Sequence, residues 1–141
     1  MKDATAKRLS RLHTVVFRGT KGRVGKRLVD NDMLLLTTTG RHSGDLHTVP
    51  LLFLSEAQRL FVFASWGGRD SHPDWYSNLL VNPEAMVELP THRCPVTATT
   101  LTGTQRAKWW GRAVDAYAGY ATYQSRTGRE IPVVALDPLA S

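Results

Sequence analysis

At 141 residues, 42% of them hydrophobic, the chain is long enough for one domain with a buried core and short for two. Its formal charge of +6 is concentrated at the start: residues 1–27 hold nine of the eighteen Lys and Arg and a single Asp, leaving the remainder slightly acidic. One cysteine, Cys94, excludes an internal disulfide and a cysteine-rich metal site, and no apolar run approaches the ~20 residues of a bilayer span. With no secretory-type apolar segment after Met1, a cytoplasmic location is expected.

From Ala4 to Phe17, the residues Leu9, Leu12, Val15 and Val16 recur at helical spacing among Lys7, Arg8, Arg11 and Arg18. This predicts a basic amphipathic helix over residues 1–18, preceding a single domain over residues 19–141. Three roles are open for it: packing on the domain, touching anionic lipid, or meeting nucleic acid, although no recognised nucleic-acid motif supports the last. The next segment, Gly19 to Arg27, has three glycines and four cations, yet Arg27 follows Lys26 and no strand precedes it, so it is not a Walker phosphate loop. A flexible basic connection and a flap over an anionic ligand are equally compatible with it.

Strand signals dominate from there: Met33 to Thr38, Leu46 to Leu54 and Leu60 to Ser65, joined by connections too short for helical crossovers and therefore antiparallel. Pro50 predicts a bulge or an edge position. Between the first two strands lies Thr39-Gly40-Arg41-His42-Ser43-Gly44, where a basic side chain, two hydroxyls and glycine-freed amides make either a plain hairpin turn or an anion site. After the third strand come the paired glycines Gly67 and Gly68, then Ser71 as the expected N-cap of a short helix carrying Pro73, Trp75, Leu79 and Leu80. Trp75 reads as a core anchor or a ligand platform.

Two more strands are predicted over Ala85–Leu89 and Pro95–Leu101, then a helix from Gln105 to about Tyr117 with Trp110, Ala113 and Tyr117 on one face and Tyr120 near them. A last strand, Ile131–Leu136, brings the count to about six in a mainly β, α+β domain. HExxH, CxxC, GxSxG and GxGxxG are all absent and the five His residues lack ligand spacing, so no metal site is expected. Gly-rich turns, a cationic entrance and clustered Trp and Tyr instead suit a pocket for a planar, anionic cofactor.

Five ordered blocks carry a further signal: Leu34 to Gly44, Val49-Pro50-Leu51, Ala64-Ser65-Trp66-Gly67-Gly68, His72 to Leu79, and Arg129-Glu130-Ile131-Pro132-Val133. Together they resemble the deazaflavin-dependent nitroreductase family, also called F-420-dependent quinone reductases, from about Gly19 to Leu136. The resemblance implies a split β-barrel of the flavin-reductase or FMN-binding kind with peripheral helices. It implies the cofactor F-420, an 8-hydroxy-5-deazaflavin with a phosphate and polyglutamate tail, and hydride transfer from its reduced form to a quinone, nitroaromatic or activated alkene.

Carried onto this sequence, the resemblance implies that Arg41 and Ser43, with His42 and Thr39, hold the anionic tail. Ser65, Trp66, Gly67 and Gly68 would border the ring, and Val49, Pro50, Trp75 and Asn78 would line the groove. His47 stands where family members commonly carry Arg, a weaker and pH-dependent tail contact. Tyr120 and Tyr123, with Ser65, are the implied catalytic groups, and Tyr117 is a lesser candidate. Two alternatives stay open: a non-catalytic carrier of a flavin, deazaflavin or lipid-like ligand, and an FMN-dependent oxidoreductase of the same fold. No nucleic-acid partner is expected; peripheral contact with an anionic membrane, and a monomer or a homodimer, are left open.

Overall fold

A computed structural model describes residues Met33–Leu139. The predicted helix over residues 1–18 and the glycine-rich connection over residues 19–27 lie outside the described residues. Seven antiparallel strands form one sheet: β1 (Met33–Thr39), β2 (Leu46–Leu52), β3 (Leu54–Glu56), β4 (Arg59–Phe63), β5 (Glu84–Glu88), β6 (Arg93–Thr100) and β7 (Val133–Pro138). Their order is β2-β1-β5-β6-β7-β4-β3, and the sheet curls until β2 also meets β4, giving the expected split barrel. Among the described residues three α-helices accompany it: α1 (Asp74–Val81), α2 (Gly103–Ala116) and α3 (Gly119–Ser125).

The count is seven rather than six because the run Leu46–Leu54 serves two neighbours. Leu46–Leu52 pairs with β1, and after Phe53 the chain turns a barrel corner so that Leu54–Glu56 pairs with β4. Pro50 sits on β2, at the edge of the sheet, opposite Leu35. An edge is where a residue without an N–H does least damage to the ladder.

Continuous apolar runs in β1, β4 and β7 follow from burial on both faces. Leu60, Val62, Val134 and Leu136 point into the barrel with Leu34, Leu36, Val87 and Val96, where α1 adds Trp75, Tyr76 and Leu79. The alternate residues Phe61, Phe63, Val133 and Ala135 face outward and are covered by Trp109 and Ala113 of α2 and Tyr120 of α3. One strand thus feeds two cores with a period of two.

Two local expectations change. α1 begins at Asp74 with Pro73 as its N-cap and no side-chain cap, so Ser71 does not cap it. Proline disfavours helical geometry in the residue before it, here His72, which prevents an earlier start. In α2 the inward tryptophan is Trp109, only 2% exposed and stacked on Phe61 at 3.6 Å between ring centroids, while Trp110 is half-buried beside Tyr120. The sheet's outer face chose the helix face, and periodicity alone leaves adjacent residues nearly equivalent.

Trp109→Ala is therefore expected to destabilise the fold by about 3–5 kcal/mol, the usual cost of removing a buried aromatic, and Trp110→Ala by much less. Urea denaturation of both variants checks the assignment, which fails if their order is reversed.

Candidate functional site

The candidate site is built around the chain just before and within α1, which touches one cluster at the β1–β2 turn and another at the loop after β4. At the first, Gly40 N–H donates to the Asp45 carbonyl at 2.7 Å and Gly44 N–H to the Gly40 carbonyl at 2.9 Å. Gly44 is left-handed, with φ 78°. Gly40 is needed for space: a Cβ there would lie 2.9 Å from His47 Nε2 and 3.0 Å from Ser43 Oγ. Thr39, His47 and Ser43 are thus gathered about this turn, with Ser43 Oγ accepting from the Asp45 N–H at 3.1 Å and His42 exposed.

Arg41 is the turn's fixed cation. Its backbone N–H and its Nη1 both donate to Asn78 Oδ1, at 3.1 and 2.9 Å, and Nη2 reaches Asp74 Oδ1 at 3.3 Å. Asn78 Nδ2 in turn donates to Thr38 Oγ1 at 3.1 Å, and Thr38 and Asn78 are buried at 1% and 2% exposure. Asn78 therefore lies behind Arg41 as its support. The guanidinium side chain remains 27% exposed, and these bonds occupy only part of its five-donor inventory. It can meet an anion without being released from the protein.

At the second cluster, β4 runs through Ala64 into Ser65 and the turn Trp66–Gly68. Ser65 is right-handed, while Trp66, Gly67 and Gly68 have φ of 43°, 65° and 81°. Trp66 has a Cβ, so its conformation costs on the order of 1–3 kcal/mol. Right- and left-handed residues in succession turn their amides toward one side, a geometry suited to electron-rich groups. Gly68 cannot be replaced cheaply: a Cβ would come within 2.6 Å of the Tyr123 carbonyl oxygen. The loop is thereby seated on α3, the helix that carries two of the expected tyrosines. The Arg69 guanidinium covers the half-buried Trp66 ring at 4.6 Å.

A residue without an assigned role in the sequence reading organises this loop. Arg129 donates to the carbonyls of Ala64 (3.1 Å), Ser65 (2.9 Å) and Arg69 (2.8 Å), and its Nη1 lies 3.2 Å from His72 Nδ1. With Arg129 as donor, His72 Nδ1 must be the unprotonated nitrogen. Desolvation first and the Arg129 charge second lower the His72 pKa below its ordinary 6.5. The available signal was the Arg129–Val133 block itself, whose arginine stands in sequence far from every residue it grips.

The tyrosines divide by environment. Tyr117 donates its hydroxyl to the Phe53 carbonyl at 3.1 Å, tying the end of α2 to the barrel corner. Tyr120 is 6% exposed among Phe63, Trp110, Tyr117 and Tyr123, and burial above all, with Tyr117 and Tyr123 adding to it, drives its pKa far above the usual phenol value. A proton is hard to take from it. Tyr123 is half-buried, and its backbone abuts Gly68. Of the remaining groove candidates, Trp75 is 7% exposed inside the barrel, edge-on to Tyr76, and Val49 packs on that same core. Pro50 lies on β2, half-buried. The geometry thus joins Arg41 to Asn78, Ser65 to Gly68, and that loop to Tyr123, while Trp75 and Tyr120 serve first as core.

A family profile described as F420H(2)-dependent quinone reductase matches residues 9–138. An F420H(2)-dependent quinone reductase of Mycobacterium tuberculosis is 37% identical over 132 residues, covering 91% of this chain and 89% of that protein. A solved F420-H2 dependent reductase superposes with a TM-score of 0.70 at 41% identity, over 75% of this chain and 94% of its own. HutZ, a heme storage protein of Vibrio cholerae, shares the fold alone, with a TM-score of 0.60 at 14% identity over 84% of this chain and 89% of its own.

The depressed His72 pKa makes stability depend on pH. The unfolded chain takes up the His72 proton at higher pH than the folded one, so the residue's contribution is full above about pH 6.5 and is lost as pH falls through the lowered folded value. His72→Asn, which keeps an acceptor and removes the titration, is expected to flatten the stability decline between about pH 7 and about pH 5. Urea midpoints across that range measure the slope; identical slopes in the two proteins contradict the assignment.

Proposed function

The chain belongs to the F420H(2)-dependent quinone reductase family, a family of oxidoreductases that use coenzyme F-420, and we propose that it holds reduced F-420 across the two clusters beside α1. The anionic tail lies at the β1–β2 turn, with Arg41 as its main charge and Thr39, His42, Ser43 and His47 around it. The planar ring lies along Ser65 to Gly68. The observation that carries this reading is the seating of the left-handed Trp66–Gly68 turn on the backbone of Tyr123, which sets the exposed, closely approachable backbone of Gly67 beside a tyrosine-bearing helix.

The residues present suit such a group. A ring needs a flat approach, which the exposed Gly67 leaves open, and a polyanionic tail needs a cation with spare donors, which Arg41 supplies while Asp74 and Asn78 hold it in place. When bound, reduced F-420 supplies the hydride. The protein orients the ring, keeps water from it and stabilises the negative charge that develops on the acceptor oxygen. Tyr123, and the Ser65 hydroxyl, are the donors assigned to that oxygen. Tyr120 acts as a wall, because its buried phenol holds its proton too firmly to be the better acid.

The acceptor is a quinone; nitroaromatics and activated alkenes, which also gain negative charge on oxygen as they accept hydride, fit the same donors. Among the described residues no helix is long and apolar enough to cross a membrane. The five Lys and Arg within residues 1–18 would draw the protein, from the cytoplasmic side, to an anionic surface where lipid quinones reside, each adding about 1 kcal/mol near such a surface.

Arg41→Ala is expected to weaken F-420 binding by about 10- to 100-fold, the loss of charge-assisted contacts, with a smaller effect on turnover at saturating cofactor. Tyr123→Phe should do the reverse, lowering turnover about 100-fold with cofactor affinity little changed, and Tyr120→Phe should lower turnover less. Fluorescence titration and menadione-dependent oxidation of reduced F-420 separate these effects; unchanged affinity in Arg41→Ala removes the tail assignment. Deleting residues 1–18 should abolish salt-sensitive co-sedimentation with anionic vesicles, and binding indifferent to both salt and deletion removes the membrane role.

A further inference from the structure

We propose that Arg129 is the positioning residue of the ring-side loop: by holding the carbonyls of Ala64, Ser65 and Arg69 at once, it fixes the Trp66–Gly68 turn in the shape that receives the cofactor. This rests on the reading of that loop as the ring's border.

The three carbonyls belong to residues on both sides of the reversal, two before the turn and one after it. A single planar guanidinium that reaches all three pins the loop's ends to each other and to the strand they leave. β4 ends at Phe63, and backbone bonds beyond it are few: Ala64 N–H donates to the Pro132 carbonyl at 3.0 Å, and within the turn Gly68 N–H donates to the Ser65 carbonyl at 2.9 Å and Arg69 N–H to the Trp66 carbonyl at 3.2 Å. Trp66 carries a side chain in left-handed geometry, so the turn persists only while its surroundings dictate it. Arg129 and the contact of Gly68 with Tyr123 both add to the turn's own backbone bonds as parts of those surroundings.

The arginine is itself held. Its carbonyl accepts from Gln124 Nε2 at 2.7 Å, Gln124 Oε1 accepts from the Ile131 N–H at 2.9 Å, and its own N–H donates to Thr127 Oγ1 at 3.3 Å. Thr127 Oγ1 donates in turn to Asp70 Oδ1 at 2.7 Å. Gln124 directly follows Tyr123 on α3, so the clamp, the loop and the tyrosine are braced as one unit. His72 takes the remaining side of the guanidinium as a neutral acceptor.

The test compares Arg129→Gln, Arg129→Lys and Gly68→Ala with wild type by amide hydrogen exchange and by titration with F-420. In Arg129→Gln, exchange across residues 65–69 is expected to rise by roughly 10-fold or more while the β1 and β7 amides keep their protection, and F-420 affinity to fall by a similar factor. Guanidinium chloride at a sub-denaturing concentration should restore affinity in Arg129→Gln. It should not do so in Gly68→Ala, where the loop is displaced by contact with Tyr123. Arg129→Lys, one charge without the planar fork, should remain impaired, and it carries the test if Arg129→Gln does not fold. A Lys variant with native loop exchange and native affinity overturns the proposal. So does a loosened loop that still binds F-420 as tightly as wild type, which would leave the functional reading standing. Wild-type protein that fails to bind F-420 would instead overturn the reading itself, whatever the exchange data show.

Discussion

The architecture of the site depends on one buried amide. Asn78 is 2% exposed, and its oxygen accepts twice from Arg41 while its nitrogen donates to Thr38. A polar group so deeply placed is costly if any partner is lost, because the low dielectric that strengthens its bonds also penalises their absence. The amide therefore fixes both the position of α1 on the end of β1 and the direction in which Arg41 points. A hydrophobic residue could fill the same volume, but it would leave the arginine's orientation to chance.

That bolt also sets the electrostatics. Arg41 is compensated by Asp74, so the cluster does not carry an unpaired half-buried cation in the absence of a ligand. The exposed remainder of the guanidinium keeps donors for an incoming anion. The arrangement exchanges some attraction for fixed geometry, which suits the role proposed for Arg41 toward an anionic tail that brings several charges of its own. The loop after β4 follows the same logic with a different element: carbonyls gathered on Arg129 restrain a turn whose backbone would otherwise relax.

Between these clusters the barrel does little chemistry and much placement. Its strands bury both faces, one against α1 and the other against α2 and α3, so the two helical layers are held at set positions relative to β4 and β7. Tyr120 and Trp75 show how closely wall and core merge, since each is a large aromatic almost wholly removed from solvent. The division among the tyrosines follows from depth: Tyr117 spends its hydroxyl on the Phe53 carbonyl, Tyr120 is sunk in the outer core, and Tyr123 stays at its margin.

Much of this was legible in the chain alone. Strands, turns and short helices are set by near neighbours, through alternation, helical spacing and the placement of Gly and Pro, and the ordered blocks from Leu34 to Val133 carried the family and the split barrel. Tertiary structure decided what near neighbours cannot. It selected Trp109 over Trp110 by offering Phe61 as a surface, and it divided one predicted strand at the barrel corner. It joined Arg41 to Asn78 across 37 residues and Arg129 to Ala64 across 65. Such pairings exist only once the sheet has closed, since nothing in the local sequence of an arginine says which distant carbonyls or amides will surround it.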